Sequence, residues 1–394
     1  MATEENLVHE SSAAPKAERG GDAGFLWDFW YPAVRSVEIR GRGLVTTMLL
    51  EIPLVLGRTD DGKAFAMRDS CPHRGIPLSH GRFDGKILEC GYHGWKFDGC
   101  SGRCVEIPSL TSQDKLKVER IFAGHFPCEE SDGYVWVFFP YGDARTPFVS
   151  GEPVAGDSRP PQNAGDTPSL VKNTPAGPPK LATFSKNYKS THLACDLPSH
   201  VDQGIIGLMD PAHGPFVHQS WFWRSKTSIH EKAKQFEPIP LGFRMSTHSP
   251  STNSAPYQLL KKMTGAPVTT TIDFVLPNMR TEEIRSGRLW FSSLTTVTPV
   301  RRDLSRIDFL AAWNVPLPIT IFRTFAQTFL KQDQDTMVKQ AEGLKHNPRL
   351  MLIDDADRPA KWYFALKANL IEARTSGEAV KHPMDGPTTL RWRS

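Results

Sequence analysis

Between Cys71 and Trp95 the chain reads CPHRGIPLSHGRFDGKILECGYHGW, with Cys71 two residues before His73, Cys90 three before His93, and sixteen residues between the pairs. A thiolate and an imidazole this close in sequence reach one metal centre only from a tight loop. Pro72, Gly75, Gly91 and Gly94 supply the turn chemistry that lets two loop tips close over one centre from opposite sides. Two Cys and two His suit tetrahedral zinc. They also suit a [2Fe–2S] cluster in which one iron carries two Cys and the other two His. Zinc sites of this composition usually set Cys beside Cys on a hairpin and His beside His on a helix. Here the two types alternate within each pair, which favours the cluster.

The wording CPHRG and CGYHGW closely resembles the Rieske domain of Rieske non-haem iron oxygenases. That resemblance implies that Cys71, His73, Cys90 and His93 hold a Rieske [2Fe–2S] cluster. Electron-transfer Rieske proteins of respiratory complexes usually carry two further loop cysteines, joined as a disulfide, and a membrane anchor. Neither loop has such a cysteine here. Cys100 and Cys104, in GCSGRC, lie beyond the second loop and read as free thiols near a turn, with a disulfide as the alternative.

A chain of 394 residues has room for two domains with proper cores. Its net charge of +4 is mild and forms no basic block, so no nucleic-acid partner is expected. Six cysteines, two of them committed to the cluster, argue for a reducing compartment rather than a disulfide framework. The most apolar stretch, VTTMLLEIPLVLG at 45–57, is broken by Glu51 and Pro53 and reads as paired strands, so no integral membrane segment is expected. Residues 1–24 lack the apolar centre of a signal peptide and read as a disordered tail, which makes a cytoplasmic location the expectation.

Residues 25–145 are expected to form the all-β Rieske domain. Asp61-Gly62 and Asp84-Gly85 mark tight turns beside the first ligand loop and before the second, and DGYVWVFFPYG closes the domain. Composition then shifts to Pro, Gly, Ser and Asp, predicting a linker over 146–180 and a second domain over 181–394. Residues 230–315 alternate as strands and predict one antiparallel sheet; PITIFRTFAQTFLKQDQDTMVKQAEGL and ADRPAKWYFALKANLIEA predict helices.

In GLMDPAHGPFVHQSWFWRS, Asp210, His213 and His218 follow the pattern Asp-x2-His-x4-His. Two imidazoles and a carboxylate with open positions make the facial triad of non-haem Fe(II) oxygenases. Positions five apart lie about 140° round a regular helix, too far for easy shared ligation. Gly214-Pro215 is expected to break the helix and bring His218 back towards His213. Asp210, three before His213, suits an outer partner for that ring rather than a ligand. On the later helix, Asp333 falls on a stripe with Phe322, Phe325, Phe329, Met337, Gln340 and Leu344, whereas Asp335 points to solvent. An ionised carboxylate on a buried stripe is costly unless paired or bound to metal, which makes Asp333 the expected third ligand. The resembled family also takes its third ligand from such a helix, where an acidic residue follows Glu or Gln, as in KQD here.

The resemblance covers about residues 27–374 and implies an α+β architecture: an N-terminal all-β Rieske domain, then an antiparallel sheet flanked by helices around mononuclear iron. It implies O2 as co-substrate and electrons from NAD(P)H through a separate reductase, with or without a ferredoxin. Arg74, Lys96 and Arg103 would suit docking of an acidic carrier. In relatives electrons cross between subunits of a head-to-tail homotrimer, which would make Asp210 the bridge to His93 of a neighbouring subunit. The commoner family wording has an Asn shortly before that Asp. Ile206 and Gly207 stand there instead, and Asp202 is a weak substitute. Trp221, Phe222, Trp223, Phe274, Trp290 and Phe291 suggest a bulky, mostly apolar substrate, with hydroxylation or oxidative demethylation as the reaction. Dihydroxylation or demethylation of a small aromatic compound is the alternative. A bare Rieske electron carrier or a zinc-stabilised binding module are the readings from other classes.

Overall fold

The first half of the described chain is built from eleven strands: β1 (Phe29–Arg35), β2 (Val45–Leu49), β3 (Ile52–Arg58), β4 (Ala64–Arg68), β5 (Arg82–Phe83), β6 (Ile87–Glu89), β7 (Lys96–Asp98), β8 (Cys104–Glu106), β9 (His125–Phe126), β10 (Cys128–Ser131) and β11 (Tyr134–Phe139). They form three antiparallel sheets, ordered β1-β11-β10, β2-β3-β4-β9 and β5-β6-β7-β8. The apolar stretch at 45–57 is the β2–β3 hairpin, turning at Leu50 and Glu51, both with positive φ. Asp84-Gly85 turns β5 into β6, and Asp61-Gly62 turns β3 into β4. The small β5–β8 sheet holds the second ligand loop between β6 and β7, while the first follows β4.

The computed structural model describes residues 24–140, 177–218, 229–249 and 255–394. Nearly all of the tail expected at 1–24 and most of the linker expected at 146–180 lie outside the described residues.

Every residue of β11, YVWVFF, is buried. Val135, Val137 and Phe139 join a core shared with Leu54 and Phe126, while Tyr134, Trp136 and Phe138 pack with Trp290, Leu294 and Leu310 of the second domain. A strand covered on both faces reads as a continuous apolar run rather than an alternating one. This strand is therefore both the end of one domain and the seam with the next.

The second domain contains β12 (Lys189–Leu197), β13 (Glu231–Ile239), β14 (Gly242–His248), β15 (Thr269–Val275), β16 (Met279–Ser286), β17 (Leu289–Arg301), β18 (Leu304–Trp313) and β19 (Thr388–Arg393). These form one antiparallel sheet in the order β12-β18-β17-β16-β15-β14-β13-β19. It extends beyond the sheet expected at 230–315 on both edges, because β12 precedes the iron motif and the chain end returns as β19 beside β13. The expected run is also interrupted by a helix. Leu, Gln, Lys and Met dominate APYQLLKKMT, with Pro256 in the first turn, and such residues favour α-structure over strand.

Among the described residues five helices accompany the sheet: α1 (Val201–Met209), α2 (Gly214–Val217), α3 (Ala255–Thr264), α4 (Ile319–Leu344) and α5 (Arg358–Ser376). Helix α4 packs on β12 and presents its inner face to the sheet. Helix α5 ends at Gly377, whose φ of +75° makes it a left-handed C-terminal cap. Its Trp362 packs on Phe236 and Phe243.

The domains are joined by polar contacts as well as apolar ones. Arg306 of β18 donates to Asp308 at 2.9 Å and to the carbonyls of Pro32 and Ala33 at 2.8 and 3.0 Å. The Leu50 and Glu51 amides at the tip of the β2–β3 hairpin donate to Pro299 and Val300 of β17. No described helix is long and apolar enough to cross a membrane.

Candidate metal centres and substrate cavity

The two Cys/His loops have the same backbone construction. In the first, the Cys71 amide donates to the Ile76 carbonyl and the Gly75 amide to the Cys71 carbonyl, both at 2.8 Å. In the second, the Cys90 amide donates to Trp95 at 2.8 Å and the Gly94 amide to Cys90 at 3.1 Å. Gly75 and Gly94 close these loops at φ of +73° and +69°, a region that a Cβ disfavours. Each loop thus presents one thiol and one imidazole from a fixed frame.

Cys71 and Cys90 are buried, and their sulfurs lie close enough to hydrogen-bond. Burial pushes the Cys71 thiol up to about 12, and the neighbouring Cys90 adds to the rise. Two adjacent buried thiols ionise together only when a cation compensates them. His73 and His93 lie together at 4.4 Å between ring centroids, and Trp95 stacks on His73 at 4.7 Å. The His73 Nδ1 is buried with no hydrogen-bond partner, which is what a metal-binding nitrogen leaves behind.

This arrangement separates a thiol pair from an imidazole pair. A tetrahedral zinc ion, with bonds of about 2.0–2.3 Å, would draw all four ligand atoms to within about 4 Å of one another. Among the described residues, only His213, His218 and Asp333 form a set of three ligand groups mutually within 4.8 Å. No three of Cys71, His73, Cys90 and His93 do so. The split fits a binuclear cluster with Cys on one iron and His on the other. All six cysteines are free thiols, including exposed Cys100 and buried Cys104.

His213 and His218 flank the single turn α2, one as its N-cap and the other as its C-cap. Gly214-Pro215 therefore begins a helical turn instead of breaking a longer helix, because Pro is well tolerated in a first turn. The two Nε2 atoms end 3.1 Å apart. Asp333 Oδ1 lies 3.1 Å from His218 Nε2 and 4.0 Å from His213 Nε2. The opposite nitrogens are already engaged: His213 Nδ1 with the Asp210 carbonyl at 2.9 Å, and His218 Nδ1 with Gln332 Oε1 at 3.0 Å. Those acceptors place the ring protons on Nδ1, so two Nε2 lone pairs and a carboxylate oxygen converge on one point. Burial also holds His213 below the ordinary histidine range. Three converging acceptors without a proton among them suit a divalent cation, and His₂-carboxylate is the donor set of non-haem iron(II).

Asp210 meets His213 differently from the helical pairing expected. Helix α1 ends at Met209, Asp210 is in extended conformation, and its backbone carbonyl makes the close contact. Its carboxylate lies 3.7 Å from His213 Nδ1 and accepts the Ala212 amide at 2.7 Å. Asp202 is committed elsewhere, accepting Tyr363 Oη at 2.6 Å and Lys367 Nζ at 2.7 Å, so it ties α1 to α5. Asp335 is exposed and pairs with Lys331 at 2.8 Å. Gln332 was not singled out from the sequence. Its place directly before Asp333 in KQD was the available signal, since Asp333 turns to the histidine Nε2 atoms while its helical neighbour reaches the ring behind. Near the cluster, Lys96 is held by Glu106 at 2.8 Å, while Arg74 and Arg103 are exposed, Arg103 lying over Phe122.

A cavity of about 1670 Å³ opens onto His213, His218 and Asp333. Its walls are mainly apolar: Phe322, Phe325 and Phe329 from α4, and Ile272, Phe274, Ile284, Phe291 and Phe309 from the sheet. The α4 stripe read from the sequence thus faces the cavity as well as the core. Trp290 packs in the domain seam instead. Trp221, Phe222 and Trp223 lie outside the described residues. Three basic groups on the wall are engaged: Lys232 donates to Ser394 Oγ, Lys234 to the Ser249 carbonyl, and Arg280 to Glu282.

The family described as Rieske [2Fe-2S] domain matches residues 29–119. Chlorophyllide a oxygenase, chloroplastic, of Chlamydomonas reinhardtii is 32% identical over 54% of this chain and 28% of its own length. The 3-chlorobenzoate-3,4-dioxygenase oxygenase subunit of Comamonas testosteroni is 38% identical over 34% of this chain and 29% of its own. The 4beta-methylsterol monooxygenase of Methylococcus capsulatus is 31% identical over 39% of this chain and 40% of its own. The chain thus spans less than half the length of these curated relatives. Among solved structures, Pseudomonas putida CBB5 NdmA with caffeine superposes with a TM-score of 0.64 at 18% identity, covering 91% of this chain and 97% of that one. Residues 29–119 therefore form a Rieske [2Fe–2S] domain, and the chain as a whole shares the fold of NdmA.

Proposed function

We propose that this chain is the catalytic α-subunit of a Rieske non-haem iron oxygenase that hydroxylates or oxidatively demethylates a bulky, mostly apolar, ring-containing substrate. The observation that carries this reading is the apolar cavity of about 1670 Å³ with His213, His218 and Asp333 on its wall. Drug-sized ligand pockets run to roughly 300–1,000 Å³, so this one suits a larger guest than a benzoate.

When bound, a [2Fe–2S] cluster at Cys71, His73, Cys90 and His93 would supply single electrons, and iron at His213, His218 and Asp333 would provide the site of O2 chemistry. The chain's own residues prepare both places. Asp210 and Gln332 hold the two ring protons on Nδ1, so each imidazole offers Nε2 in a fixed direction. Asp333 brings the negative charge that offsets a divalent cation. The phenyl rings of α4 exclude water and favour an apolar guest beside the triad. The cluster-side thiols are buried while both imidazoles are half-exposed, so the histidine edge faces outward. That supports electron exchange through His93 with Asp210 of a neighbouring subunit in a head-to-tail homotrimer. A separate reductase, with or without a ferredoxin, would deliver electrons from NAD(P)H. A reducing compartment, the cytoplasm, is the setting proposed for a chain with six cysteines in 394 residues.

Two of the relatives are named for chlorophyllide a and a 4β-methylsterol, which favours a polycyclic substrate. The relative named for 3-chlorobenzoate supports the second reading, oxygenation of a small aromatic compound. Reconstitution with a surrogate reductase and a panel of sterols, polycyclic aromatics and small aromatic acids separates the two. A gain of one oxygen on an apolar polycycle is expected. Turnover confined to small acids, or cis-diol products, would overturn the proposal.

A further inference from the structure

Among the polar groups on the cavity wall is an island shared by β16 and β17. Arg280 and Glu282 lie on β16 with Nη1 and Oε2 at 3.0 Å, both largely buried and both lining the cavity. Their surroundings are apolar: Phe274 is the cross-strand partner of Arg280, Ile272 that of Glu282, and Ile284 follows on the same face. On the other side, Ser293 of β17 stands directly opposite Glu282. Its hydroxyl is buried and has no hydrogen-bond partner, and Ser293 also lines the cavity.

A buried ion pair is a poor stabiliser compared with apolar residues of the same volume, and an unpaired buried hydroxyl carries its own desolvation cost. Both costs fall on one spot, beside Ile272, Phe274 and Ile284. We propose that Arg280, Glu282 and Ser293 form a subsite for the single neutral polar group, a hydroxyl or keto oxygen, of an otherwise apolar polycyclic substrate. Arg280 spends one of its five N–H donors on Glu282, and the second carboxylate oxygen takes no hydrogen bond within the described chain. The pair therefore offers donors and an acceptor with no net charge. A neutral hydroxyl gains from both. A substrate carboxylate would meet Arg280 but also the like charge of Glu282, and an ammonium would meet the reverse. This inference rests on the oxygenase reading above and narrows its substrate class.

Equilibrium dialysis of the holoenzyme against cholesterol, cholest-5-ene, which lacks the hydroxyl, and cholesteryl hemisuccinate tests it without requiring turnover. Wild-type protein is expected to bind cholesterol at least about tenfold more tightly than the hydrocarbon. In Arg280→Met/Glu282→Leu that ratio should fall to about one through weaker cholesterol binding alone, and Ser293→Ala should lower it partway. A thermal unfolding transition and a far-UV circular dichroism spectrum matching wild type establish that the variants are folded. An unchanged ratio in the double variant, no preference in the wild type, or tighter binding of the hemisuccinate would overturn the subsite while leaving the oxygenase reading intact. Binding of neither steroid would overturn the polycyclic reading and the subsite with it.

Discussion

The Nε2 atoms of His213 and His218 face each other at 3.1 Å across a single helical turn. Asp333 adds a carboxylate oxygen to the same point, 3.1 Å from His218 Nε2. The backs of both rings are held by Asp210 and Gln332, which aims both Nε2 atoms at that point. The chain thus gathers a donor set that suits a divalent cation.

Gln332 gives the most specific consequence. Gln332→Leu removes the acceptor behind His218 while leaving all three proposed ligands. Iron affinity, measured by chelator competition, is expected to fall about 10–100-fold with the cluster spectrum unchanged. Unaltered affinity would mean that the ring is oriented by packing on Phe329 instead.

Asp210→Asn should retain both metal centres and slow electron delivery to the iron. Starting from reduced cluster, with substrate and O2 present, single-turnover oxidation of the cluster is expected to slow about 10–100-fold. An unchanged rate would refute the bridging role and leave Asp210 as a backbone support for His213.

The domain seam is testable through Arg306. Arg306→Met leaves Asp308 buried without its partner, an expected loss of about 3–5 kcal/mol in denaturant unfolding. Arg306→Met/Asp308→Leu should recover part of that loss, with the Pro32 and Ala33 carbonyls still lacking their donor. A double variant no more stable than the single would contradict the pairing.

His125 sets a pH dependence. Burial holds its pKa below the ordinary 6.5, with Asp98 pulling weakly the other way. Below pH 6.5 the unfolded chain takes up a proton that the folded chain resists, so stability falls as pH drops from 6.5 towards the folded value. His125→Gln should flatten that part of the stability curve, read as Tm between pH 7 and 5. A profile parallel to wild type would contradict this.

Much of the fold was legible where local chemistry decides it. The loops at Cys71 and Cys90 follow from Gly and Pro placement, and the helix bearing Asp333 from its apolar stripe. Edge strands were not legible. Lys189–Leu197 and Thr388–Arg393 alternate polar and apolar residues weakly and become strands because β18 and β13 offer open edges far along the chain. The conformation at Asp210 was misjudged because spacing alone does not reveal that α1 ends one residue earlier. The island at Arg280, Glu282 and Ser293 was hidden for a similar reason, since register between distant strands brings Ser293 opposite Glu282.

The proposed mononuclear iron centre is tested most directly by metal analysis and EPR of Asp333→Ala beside Asp335→Ala. Asp333 reaches both histidines, whereas Asp335 is exposed and paired with Lys331. Asp333→Ala is expected to lose the mononuclear iron and all oxygenase turnover while the Rieske EPR signal survives, and Asp335→Ala to keep both centres. Iron retained in Asp333→Ala and lost in Asp335→Ala would contradict the site.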